Sequence, residues 1–203
     1  MNTNQQEIEV KFYLRDRAAF ERRLVEMGGQ LTSPRVFESN LRFDSADGSL
    51  MRARQVLRLR RDERARLTFK GPARAGEEVS VRREIEFEVS DFAAARDLLE
   101  ALGYQVTVMY EKFRTTYRLQ QVEIMIDEMP FGDFAEIEGA DAQQVRAAAD
   151  RLGLRWETRS QESYLALFDD FRARRALQMA HLSFESFRGV QVNPADLNLQ
   201  FAD

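Results

Sequence analysis

The sequence contains no cysteine, which excludes disulfides, thiolate nucleophiles and cysteine-ligated zinc. Its one histidine, His181, lies near the C-terminus, so an imidazole-rich metal site or a Ser-His-Asp triad has no material to draw on. Chemistry would fall to carboxylates, lysine, arginine and tyrosine. Any metal would be a hard cation held by oxygen, such as Mg²⁺ or Mn²⁺. No apolar run is long enough to cross a membrane. The opening MNTNQQEIEV lacks the basic start and apolar stretch of a secretory leader. The expectation is a cytoplasmic protein with no membrane partner. A basic excess is also missing: 30 Lys and Arg face 34 Asp and Glu, for a net charge of -4, which argues against a nucleic-acid partner. The chain shows no internal repeat and no low-complexity linker.

What is present is charge in quantity. The 203 residues suffice for one sizeable domain, and 32% of them are charged beside 44% hydrophobic. Glu7 to Leu14 alternates charged and apolar residues through Lys11, as a strand does. Arg15 to Gly28 follows with Phe20, Leu24 and Met27 at helical spacing. Val36 to Asp44 reads as a strand, Ala46-Asp47-Gly48 as a turn. Val56 to Arg61 and Ala65 to Lys70 read as a hairpin with Asp62-Glu63 at its tip. Val79 to Val89 is a long strand, and Asp91 caps a helix through Leu102. Tyr104 to Leu119, Val122 to Asp127 and Phe134 to Glu138 are further strands. Asp141 caps a helix to about Leu152, and another is expected from Ser160 to about Met179. The pattern predicts an α+β fold with about eight antiparallel strands.

Residues two apart on a strand share a face. That rule aligns Glu7, Glu9 and Lys11; Arg58 and Arg60; Thr68 and Lys70; Arg82, Glu84, Glu86 and Glu88; Lys112 and Arg114; and Glu136 and Glu138, with Asp127 ending its own strand. On any single strand such a face is ordinarily solvated, and charges there discourage edge aggregation. Here the alternate faces are apolar (Ile8 and Val10, Leu57 and Leu59, Leu67 and Phe69, Ile85 and Phe87, Ile124 and Ile126) and several helices are available to cover them. The charged faces then turn towards one another if the sheet closes into a barrel. A lumen holding both signs suits a metal–polyphosphate complex: basic groups contact phosphate oxygens, and carboxylates hold divalent cations.

The order of motifs resembles that of the CYTH domain, or triphosphate tunnel metalloenzyme, superfamily, which includes class IV adenylate cyclases, thiamine triphosphatases and tripolyphosphatases. Glu7-Ile8-Glu9-Val10-Lys11 resembles its ExExK signature. Asn40 to Leu50 resembles its Phe-Asp segment, Leu57-Arg58-Leu59-Arg60 its LRxR, and Thr68 to Pro72 its TxKGP. Arg83-Glu84-Ile85-Glu86, Lys112-Phe113-Arg114, Asp127 through Gly132 to Glu136-Ile137-Glu138, and Ser163-Tyr164 resemble later segments. The chain departs where relatives often carry Tyr-Phe-Asp, having Leu41-Arg42-Phe43-Asp44. The resemblance implies a closed eight-stranded antiparallel tunnel over residues 1–170, with 171–203 as a helical extension and tail. It implies that Lys11, Arg58, Arg60, Lys70, Lys112 and Arg114 grip a triphosphate. Strand parity adds Arg82, although motif spacing draws attention to Arg83. Glu7, Glu9, Glu84, Glu86, Asp127, Glu136 and Glu138 would serve the metals, and Lys11, Glu136 and Glu138 are the catalytic candidates.

The function expected is metal-dependent hydrolysis of a phosphoanhydride in inorganic, nucleoside or thiamine triphosphate. The alternatives are class IV adenylate cyclase chemistry on ATP and a non-catalytic polyphosphate or nucleotide module. Trp156 and His181 read as packing or surface residues, and Tyr164 as either a core residue or one reaching the tunnel mouth. Phe168, Phe171, Leu177, Phe184 and Phe187 could cap one end or form a homodimer contact.

Overall fold

The computed structural model describes residues 5–203; residues 1–4, part of the stretch inspected for a leader, lie outside the described residues. Strands β1 (Gln5–Leu14), β2 (Gln30–Ser45), β3 (Val56–Arg61), β4 (Ala65–Lys70), β5 (Ser80–Val89), β6 (Tyr104–Leu119), β7 (Val122–Met129) and β8 (Gly132–Glu138) alternate with helices α1 (Arg17–Glu26), α2 (Ser49–Arg52), α3 (Phe92–Ala101), α4 (Ala142–Arg151) and α5 (Tyr164–Arg175). All neighbouring strands are antiparallel, in the order β1-β5-β4-β3-β2-β6-β7-β8, and the pairing returns to β1 as a closed barrel. Closure depends on β1. Its first half, Gln5 to Glu9, pairs with β5, and its second half, Glu9 to Leu14, pairs with β8. A ring of paired strands leaves no open edge.

Most of the apolar alternates face outward under the helices, but Phe87, expected to be covered, is 49% exposed. Ile8, Val10, Phe12, Ile124, Ile126 and Ile137 pack with Phe20 and Leu24 of α1, Val145 and Ala149 of α4, and Trp156. Burying each such large side chain stabilises the fold by roughly 1.5–3 kcal/mol. On the opposite side Phe43, Leu59 and Leu99 form a smaller cluster joined by Leu41, Leu57, Leu67 and Phe92. Asp16, Asp91, Asp141 and Ser163 each cap a helix by accepting a backbone N–H, as short oxygen-bearing side chains do.

Beyond end shifts of one or two residues, as in β7 and β8, three elements differ from the sequence expectation. β2 begins at Gln30 rather than Val36, because irregularities between Leu31 and Val36 let the strand pass Pro34 without losing its partner β6; bulges are where strands tolerate proline. The last long helix is shorter at both ends. Ser160 pairs with Lys11 as extended backbone, and Ala176 takes a left-handed φ of 50° after the helix. The short helix α2 was not expected. The carboxylate of Asp44 accepts from the N–H groups of Leu50 and Met51 at 2.9 Å each, so the Phe-Asp segment anchors a helix N-terminus.

Residues 176–203 pack back onto the barrel. Leu182, Phe187 and Leu197 join Phe168 and Phe171 of α5 and the strand residues Tyr13, Tyr110, Met129 and Phe134 in one buried cluster. Phe184 instead meets Phe113, with ring centroids 5.3 Å apart. Arg175 and Asp196 pair at 3.0 Å, and the Asp203 carboxylate accepts from the N–H groups of Arg15 and Asp16. His181 Nδ1 accepts from Met109 N–H at 3.2 Å, a packing role.

Candidate active site

Period-two alternation sends one face of every strand inward, and there the inward faces are charged. A cavity of about 450 Å³ is lined by nine basic and nine acidic residues. Among the residues singled out from sequence, Glu7, Glu9 and Lys11 reach it from β1, Arg58 and Arg60 from β3, Lys70 from β4, Arg82, Glu84 and Glu86 from β5, Lys112 and Arg114 from β6, and Glu136 and Glu138 from β8. Arg82, rather than Arg83, lines the cavity, in keeping with strand parity. Glu88, on the same face of β5, is exposed and meets Arg64 at 2.5 Å.

Asp127 lies behind the cavity wall. It is fully buried and accepts from Arg114 at 2.6 Å, Lys112 at 3.0 Å and the Tyr164 hydroxyl at 2.8 Å. Its carboxylate organises three donors rather than facing the open space. Glu86 likewise serves the basic side, meeting Arg60 at 3.1 Å, Arg58 at 3.3 Å and Thr68 at 2.7 Å. Partial burial raises its pKa, but Arg60 and Arg58 outweigh that and hold it below the usual carboxylate value.

The opposite wall is acidic. Lys11 donates to Glu9 at 2.6 Å and stands 3.6 Å from Glu136, and Lys70 pairs with Glu7 and lies 3.5 Å from Glu84. Burial works against the Lys11 ammonium, but Glu136 and Glu9 hold its pKa above the ordinary value. Glu136 is pressed the other way: burial raises it, and Lys11 and Arg114 bring it well below the carboxylate range. Glu138 is less well served. Burial, then Glu7, Glu9 and Glu136, push its carboxyl up to about 8. Burial and Glu136 push Glu9 up to about 7.

Among the described residues no group of three or more Asp, Glu, His or Cys is gathered closely enough to share one ion. The acidic wall nevertheless fits a divalent cation. Buried Glu7 Oε2 has no hydrogen-bond partner among the described residues, and burial together with neighbouring carboxylates raises the pKa values of Glu9 and Glu138. Hard oxygen donors under mutual repulsion are the donor set such an ion takes.

Sequence reasoning missed several lumen residues. Glu38 is buried between Lys112 at 3.5 Å and Arg60 at 3.6 Å. Despite burial, Lys112 and Arg114 hold its pKa far below the carboxylate range. Glu38, Asn40 and Arg42 stand two apart in the sequence, which was the signal available. Tyr110 donates nothing to Arg58 but accepts its guanidinium at 3.2 Å. Tyr164, which the sequence left between the core and the tunnel mouth, is buried and also lines the cavity, its ring facing both Lys11 and Lys112 at 5.5 Å. No helix among the described residues is long and apolar enough to cross a membrane.

A family profile described as CYTH domain matches residues 5–164. A Methanocaldococcus jannaschii protein named as a candidate adenylate cyclase is 26% identical over 134 residues, spanning 65% of this chain and 75% of that protein. The structure of a candidate adenylate cyclase from Vibrio parahaemolyticus superposes with a TM-score of 0.72 at 21% identity, covering 81% of this chain and 98% of that one. A Hippeastrum protein, described as a candidate adenylyl cyclase that reveals a dominant triphosphatase activity, has a TM-score of 0.63 at 20% identity and covers 96% of this chain and 100% of its own. At those identities the two structures bear on the fold alone.

Proposed function

The chain belongs to the CYTH domain family, and on that premise we propose that its barrel is a triphosphate tunnel in which a phosphoanhydride bond is hydrolysed with a divalent cation, Mg²⁺ or Mn²⁺. The observation that carries this reading is the convergence of nine basic and nine acidic residues on one cavity. A phosphate ligand alone would meet the carboxylates, and a cation alone would meet the guanidinium groups. A cation–triphosphate complex satisfies both.

Lys11, Arg58, Arg60, Lys70, Lys112 and Arg114 exchange carboxylate partners for phosphate oxygens and, with Arg82, set the register of the phosphate chain. Glu7, Glu9 and Glu138 are the carboxylates that would contribute to holding a cation, which when bound would supply charge neutralisation and Lewis acidity. Asp127, Glu84, Glu86 and Glu136 orient the basic side chains. Lys11, kept protonated by Glu136 and Glu9, contributes charge rather than a base. Water adds to the terminal phosphorus and gives up a proton to solvent, the bridging P–O bond breaks, and the bridging oxygen leaves with its electron pair. The guanidinium and ammonium groups stabilise that developing charge.

The second reading is ATP cyclisation, favoured by the Methanocaldococcus relative's name. The Hippeastrum title pairs a cyclase name with triphosphatase activity, so the name does not choose the reaction. The experiment that does is incubation of purified protein with Mg²⁺ or Mn²⁺ and, separately, tripolyphosphate, ATP and thiamine triphosphate. Orthophosphate release supports the hydrolase. Cyclic AMP with pyrophosphate supports the cyclase. Binding without turnover in either metal makes the protein a polyphosphate sensor.

A further inference from the structure

On β2, Arg42 sits directly opposite Arg58 of β3 in the strand register. Both line the cavity. Like charges directly opposed on one face of a sheet destabilise it, and water-poor surroundings strengthen the repulsion. Relief for Arg42 is scarce nearby. Asp44, the acid two residues on, already accepts from the N–H groups of Ser45, Leu50 and Met51. Burial disfavours the charged form of Arg42, Arg58 and Arg82 add repulsion, and Tyr110 and Asp44 only partly oppose this. The Nε groups of Arg42, Arg58 and Arg82 are buried without a hydrogen-bond partner among the described residues. Asn40, on the same inward face of β2, is fully buried with both amide atoms unpartnered. Buried polar groups are ordinarily paired, so the three Nε donors and the Asn40 amide N–H, gathered beside the cavity, are left for a group the protein itself does not provide.

We propose that Arg42, with Arg58, Arg82 and Asn40, forms an anion subsite that takes the doubly charged terminal phosphoryl group of a linear polyphosphate. The proposal rests on the triphosphate reading above and deepens it. It makes Arg42, where the family pattern often has tyrosine, a residue that recognises the end of the phosphate chain. An internal phosphate, or one in a ring, offers a single charge and no free end. A terminal phosphoryl approaches two charges at neutral pH and presents three oxygens to the guanidinium forks.

The test is calorimetric binding of linear tripolyphosphate and of cyclic trimetaphosphate, which has equally many phosphorus atoms but no terminus. Both are titrated with Mg²⁺ present into wild type, Arg42→Leu and Arg42→Lys. Wild type is expected to prefer the linear ligand. Arg42→Leu should weaken linear binding about tenfold or more and leave cyclic binding nearly unchanged, and Arg42→Lys should recover part of the preference. Thermal unfolding of Arg42→Leu should be no lower than wild type, since a buried repulsion is removed. Equal loss for both ligands, or none for either, overturns the subsite while leaving the triphosphate reading intact. Wild type that binds neither ligand overturns both.

Discussion

The Tyr164 hydroxyl donates to Asp127 Oδ2 at 2.8 Å, and this bond joins the first turn of α5 to the floor of a lumen otherwise built from strands. Burial, then Asp127 and Glu136, push the phenol well above its ordinary pKa, so it stays a donor at neutral pH. Tyr164→Phe removes the donor and keeps the ring, which packs at 5.2 Å from Phe134. The expected loss is about 1–2 kcal/mol in denaturant unfolding. An unchanged midpoint and slope would show that only the ring matters.

Asp127→Asn should cost more. Lys112 and Arg114 would keep their charges with the fully buried counter-ion gone, and stripping one partner from a buried pair costs about 3–5 kcal/mol. The control is Glu88→Gln, at an exposed pair with Arg64, where the change should stay within about 0.5 kcal/mol. Urea titration of both variants decides whether the lumen network or the outer surface carries the stability.

The acidic wall predicts a pH dependence with a definite sign. Glu138 rises from 4.5 to about 8 and Glu9 to about 7 on folding, so the folded state binds protons that the unfolded chain has released. Their contribution is fully present below the ordinary carboxylate value and is lost as pH climbs towards 8. Metal-free protein in chelator should therefore melt at progressively lower temperature from about pH 5 to pH 8. Adding Mg²⁺ or Mn²⁺ should raise the melting temperature most at the alkaline end. A flat profile, or stabilisation by metal only at acid pH, would contradict the cation site.

The proposed hydrolysis separates binding from rate. Lys70→Ala removes a cavity ammonium that now pairs with Glu7 and Glu84, and should raise KM about tenfold with a smaller fall in kcat. Glu136→Gln leaves Lys11 and Arg114 without their shared carboxylate, and should lower the metal-dependent kcat about 10- to 100-fold with little change in KM. Steady-state phosphate release from tripolyphosphate measures both. Two variants with wild-type constants would remove the lumen from the reaction.

Much of the barrel was legible because alternation is a local property. Val56–Arg61, Ala65–Lys70 and Tyr104–Leu119 have the expected bounds, since each strand carries its own charged and apolar faces. β2 was only half visible because Pro34 and the register shifts between Leu31 and Val36 break the period. Its inward set of Glu38, Asn40 and Arg42 lay in the half that was read as a strand, but was not singled out as a charged face. The helix expected from Ser160 was overextended because pairing of Ser160 with Lys11 is a contact 149 positions away in the chain, beyond any local pattern.

The amino-acid order by itself determined which side chains face inward, because the strand period of two leaves no choice once the apolar face is covered. It also determined the kinds of chemistry open to the protein, through the absence of cysteine and the single histidine. Only the tertiary structure decided which opposite charges meet, and which do not. Register across strands far apart in sequence sets Arg42 against Arg58, buries Asp127 beneath Lys112, Arg114 and Tyr164, and leaves Glu138 among other carboxylates. Coulomb energies depend on those distances and on the exclusion of water, and neither exists until the ring of strands has closed.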